Sequence, residues 1–116
     1  MSPTVPLLVL VVREAGLRST LVARLSMAGG DVVTVDNLDD PRVERWLAKR
    51  PVLIVDDAAL AGRHGGEAAL RGDPRWRAVA VVGGQAAEGA AIPRIAPADS
   101  ASVLEAMLAG WGYPER

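Results

Sequence analysis

Four stretches of the chain are almost uninterrupted apolar residues: 7–12, 52–55, 79–82 and a weaker one at 91–96, broken by Pro93 and Arg94. Short runs rich in β-branched residues, without alternation, predict strands covered on both faces, the pattern of a parallel sheet. A fifth segment, 31–35, reads Asp-Val-Val-Thr-Val and half alternates, as an edge strand does. Helical spacing fills the gaps. Leu17, Leu21, Val22 and Leu25 fall on one face, with Arg18 and Arg24 off it, and Gly29-Gly30 supplies a stop. Asp39 or Asp40 followed by Pro41 marks a second helix start; Val43, Trp46 and Leu47 form its buried stripe, and Pro51 prevents its continuation. A last helix opens near Asp99-Ser100, carries a Ser102-x-x-Glu105 pair, buries Val103, Leu104, Met107 and Leu108, and is closed by Gly110. A short helix at 67–71 is cramped between glycines.

The order β-α-β-α-β-(short α)-β-loop-β-α predicts right-handed crossovers and a doubly wound parallel sheet. In such sheets the functional crevice lies at the carboxyl ends of the strands. The residues to interrogate are therefore Arg13 and Glu14, Asp36 and Asn37, Asp56 and Asp57, Gly83 and Gly84, and Ala96 and Pro97.

Composition narrows the chemistry. At 116 residues the chain is one domain's worth, 1–116, or the N-terminal part of a longer protein. The absence of cysteine removes disulfides, thiolate zinc sites and thiol nucleophiles. A net charge of −1, with scattered basic residues, leaves no footprint for nucleic acid. The longest apolar run, 6–12, is far short of the ~20 residues of a membrane span. A cytoplasmic protein without nucleic-acid or membrane partners is expected. Lys49 is the only lysine against twelve arginines and phenylalanine is missing, so Trp46, Trp76 and Trp111 are the few bulky side chains. His64, alone in a glycine-rich loop, reads as an exposed loop histidine.

At its strand ends the chain resembles the receiver (CheY-like) domain of two-component response regulators. Val11-Val12-Arg13-Glu14 resembles the first strand end, Pro51 to Gly62 the third strand and phosphorylation loop, and Ile95-Ala96-Pro97 the terminal Lys-Pro of the fifth strand, usually a cis peptide. The resemblance covers the whole chain in order and length. It implies a flavodoxin-like sheet in strand order 2-1-3-4-5, with Asp57 at the phosphoacceptor position and Asp56 pointing the other way. It also exposes departures. Arg13 and Glu14 stand where two acids hold Mg²⁺, Gly83 stands at the hydroxyl position, and Ala96 stands at the lysine position. Glu14 and Asp57 remain as a carboxylate pair for a hard cation. Arg13 competes with that cation by pairing with Asp57 or Glu14, so Mg²⁺ is expected to bind weakly or not at all. A Glu14–arginine pair is the plainer reading of Glu14, and a turn or helix cap that of Asp57.

Only six residues, 85–90, separate Gly84 from the fifth strand, too few for the three-turn helix the family has there. The uncovered face, with Val79, Val81, Ile92 and Trp111, is expected to pair with a second copy or a partner, unless the tail covers it. The expected function is that of an atypical receiver-like domain: an interaction module in signal transduction, not an enzyme and without a cofactor. Its expected partners are a histidine kinase or a downstream output protein, and a second copy in a homodimer. The alternatives are a conventional receiver phosphorylated on Asp57 by a histidine kinase, and a small α/β ligand-binding protein or enzyme using the Glu14/Asp57 crevice.

Overall fold

The computed structural model describes residues 6–61, 70, 72–83 and 94–111. Five parallel strands form one sheet: β1 (Leu7–Val11), β2 (Asp31–Thr34), β3 (Val52–Asp56), β4 (Ala78–Val82) and β5 (Arg94–Ile95). Their spatial order is β2-β1-β3-β4-β5, the flavodoxin and CheY-like arrangement. The register sets Leu8 beside Val32 and Val52, and Val81 beside Val55 and Arg94. Central β1 and β3 are buried at every position, whereas edge strand β2 is exposed at Asp31 and only partly buried beyond it. Uninterrupted apolar runs and half-alternation thus map onto centre and edge.

Side-chain alternation along the strands divides the core into two layers. Leu8, Leu10, Val52, Ile54, Ala80 and Val82 face Leu21 and Leu25 of α1 (Ala15–Met27) and Leu104 and Leu108 of the C-terminal helix Ser100–Trp111. Val9, Val11, Leu53, Val55 and Val81 face Val43 and Leu47 of α2 (Pro41–Leu47), Leu60 of α3 (Asp57–Ala61), Leu70 and Trp76. The C-terminal helix is α4, and a 3-10 turn, Pro97–Asp99, leads into it. No helix among the described residues is long and apolar enough to cross a membrane.

Several sequence expectations need correction. Val103 is 37% exposed: α4 turns its Leu104 and Leu108 stripe inward, and a neighbouring residue is rotated about 100° away. Gly110 lies within α4, which runs on to Trp111. Glu105 makes no capping box with Ser102; it forms a two-pronged ion pair with Arg24 of α1 at 2.6 and 2.8 Å. Val81 is fully buried and Val79 packs against the same core layer, so Val81 is not available to a partner in this fold. No described peptide bond is cis, including Ala96–Pro97. The short crossover 85–90, Gly84, Ile92, His64 and most of the expected helix at 67–71 lie outside the described residues, as does the side chain of Trp111.

Candidate functional site at the strand ends

The adjacent aspartates Asp56 and Asp57 leave the third strand in opposite directions. Asp56 is its last residue and is 6% exposed. One carboxylate oxygen accepts the backbone N–H groups of Arg13 at 2.7 Å and Glu14 at 3.3 Å, and the other accepts that of Ala59 at 2.9 Å. A buried charge needs such donors. Asp56 therefore ties the β1–α1 connection to the start of α3, and both of its oxygens are engaged by backbone donors.

Asp57 opens α3, with its side chain half exposed. Its Oδ1 accepts from Nη1 of Arg94 at 2.9 Å. The same Nη1 lies 3.5 Å from the carbonyl oxygen of Gly83, so the guanidinium crosses the end of β4 to reach the acid. Gly83 permits this arrangement twice over. Its φ of +118° suits glycine, and a Cβ there would stand 2.6 Å from Asp57 Oδ2. Its N–H donates to Ile95 O at 2.8 Å, which fixes the end of β4 against β5. The volume a threonine side chain would need at position 83 is filled by the carboxylate of Asp57.

The cation beside Asp57 is thus Arg94, in place of the expected Arg13. Among the described residues the Arg13 guanidinium has no carboxylate partner, and only its backbone N–H reaches the aspartate pair. The lysine position, Ala96, is exposed and begins the 3-10 turn. Arg94 sits two residues earlier, hence on the same side of the strand, and its length spans the difference. The signal was present in the sequence as an arginine interrupting an apolar run.

Glu14 is the N-cap of α1: Oε1 accepts from the N–H of Gly16 at 3.0 Å and Oε2 from that of Leu17 at 2.6 Å. Among the described residues it pairs with no arginine, and its carboxylate turns back onto the helix's own N–H groups. Glu14, Asp56, Asp57 and Gly83 line one open cavity of about 620 Å³, closed on its far side by Pro97 and Ser100 at the entry to α4. Glu14 and Asp57 are therefore neighbours of one space, but each carboxylate is engaged elsewhere. Among the described residues no three His, Cys, Asp or Glu side chains gather as a metal centre. Ser100, almost fully buried, donates its hydroxyl to Pro97 O at 2.8 Å and serves the turn.

Compared with family models, with curated proteins and with solved structures, the chain matches none of them.

Proposed function

We propose that the chain is an atypical receiver-like signalling domain, working in the cytoplasm as a protein-interaction module without a conventional Mg²⁺-dependent phosphorylation switch. The observation that carries this reading is the Asp57–Arg94 ion pair laid across Gly83. Phosphoryl transfer to a carboxylate needs that carboxylate free to attack, and positive charge placed to neutralise the incoming group. Here the positive charge is a fixed guanidinium already spent on Asp57. The hydroxyl position is occupied by the acid itself, and Glu14 is committed to a helix cap. The 2-1-3-4-5 sheet supports the receiver-like assignment, and the engaged carboxylates argue against a general base in this crevice. The partners in this reading are a histidine kinase or downstream output protein, and a second copy of the chain.

Intact mass after incubation with acetyl phosphate and Mg²⁺, on the wild type and on Asp57→Asn, tests it. No phosphoryl adduct is expected on either. A stoichiometric adduct lost in Asp57→Asn would establish the conventional receiver, a reading favoured by the half-exposed Asp57 side chain. Sedimentation at tens of micromolar tests the second copy: a dimer is expected, and a strict monomer removes it from the list of partners.

A further inference from the structure

A second cavity lies at the carboxyl ends of β1 and β2, about 290 Å³ in volume, and shares no lining residue with the one at Asp57. Its walls are Val12, Arg13, Arg18, Asp36 and Asn37. We propose that this cavity binds a phosphate group, held by Arg13 and Arg18 with Asn37.

Three elements converge there: Arg13 from the connection after β1, Arg18 from α1 and Asn37 from the connection after β2. Arg18 is half-buried and pinned by one bond, Nη1 to Val12 O at 3.1 Å. That bond fixes the guanidinium without satisfying it, and no carboxylate pairs with Arg18 or Arg13 among the described residues. Asn37 accepts the N–H of Asp39 through Oδ1 at 2.8 Å, which leaves its amide donors for the cavity. The acid on the wall, Asp36, makes no ion pair with either arginine among the described residues. The result is a small polar space with surplus N–H donors and net positive walls. Donors supplied by three separate segments of the chain fit the several oxygens of a tetrahedral phosphate; a planar carboxylate would be served by one arginine fork. The N-terminus of α1 plays no part, since Glu14 already caps it.

The test is an NMR titration of the whole chain at constant ionic strength, following backbone amides and arginine Nε–H signals. The probes are inorganic phosphate, glycerol phosphate and acetate. Saturable shifts confined to Arg13, Arg18 and Asn37 are expected with both phosphates, and tighter binding of the ester would mark a phosphomonoester as the natural occupant. Arg13→Gln, at an exposed position, is expected to stay folded and to weaken phosphate binding about tenfold, the loss of one charge-assisted hydrogen bond. Arg18→Lys keeps the charge but loses the fork, and is expected to weaken it as well. The proposal is overturned by shifts that do not saturate, by shifts spread over Arg75 and Arg77 equally, by an Arg13→Gln variant with unchanged affinity, or by acetate binding as tightly as phosphate.

Discussion

Arg94 and Asp57 sit 2.9 Å apart, with the arginine side chain 17% exposed and the aspartate 50%. Solvent therefore screens one end of the pair, and its contribution to stability is about 1 kcal/mol or less. Arg94→Ala is expected to shift the urea midpoint only slightly while freeing the carboxylate, so that calorimetric titration detects more Mg²⁺ binding than in the wild type. Gly83 is under a harsher constraint. Gly83→Ala is expected to cost roughly 1–3 kcal/mol, from positive φ and from crowding by Asp57. In the Asp57→Ala background the crowding disappears and only the backbone part remains, so thermal unfolding of the single and double variants separates the two. Restoring a hydroxyl at 83 would meet the same obstacle. At this scale the sequence was partly legible. Asp57 and Gly83 could be located by counting along strands, because strand ends mark themselves. Arg94 could not be assigned its role, because reach across a neighbouring strand depends on side-chain length and on what is missing at position 83.

The first helix shows how a cap can masquerade as a ligand. Glu14 satisfies two of the orphan N–H groups of α1, and the other end closes with Gly29 at a φ of +102° and bonds from Gly29 to Ser26 O and Gly30 to Leu25 O. Glu14→Ala is expected to cost about 1 kcal/mol in urea unfolding, and Glu14→Ser to restore most of it. In α2 the cap is Asp40, which accepts from the N–H of Arg42 and pairs with its side chain. The Arg42 side-chain hydrogen bond, foremost, holds the Asp40 carboxyl at about 2 against an ordinary 3.8. A lowered folded value means that the stabilisation is fully present above pH 3.8 and is lost as pH falls toward 2. Asp40→Asn keeps a good cap but removes this dependence, so between those pH values the wild type should lose unfolding free energy more steeply than the variant, and the gap between the two chains should narrow as pH falls toward 2. The Asp40-Pro41 start was readable because proline and aspartate at those positions have one common use. Glutamate is an uncommon N-cap, so Glu14 in an acidic crevice invited a metal.

Across the whole molecule, the sheet was the most legible feature. Uninterrupted apolar runs have only one comfortable home, between two layers of helices, and alternation then assigns each residue to a layer. The opposite directions of the adjacent carboxylates were legible too, from the receiver-like resemblance; what it could not supply was the set of backbone donors that the buried one gathers. Asp56 holds together three backbone donors, two from the β1–α1 connection and one from the first turn of α3. Asp56→Ala is expected to cost roughly 2–4 kcal/mol, measured by chemical unfolding, because three part-buried backbone N–H groups lose their charged acceptor at once. Asp57→Ala should cost far less, its carboxylate being half in water. The two neighbours therefore set a trap for genetics. A loss-of-function screen would score Asp56 as the indispensable residue and pass over Asp57, although the first fails by starving the cell of folded protein and only the second could report on the chemistry of the crevice. Phenotypes at this pair acquire meaning once they are normalised to the amount of protein that survives.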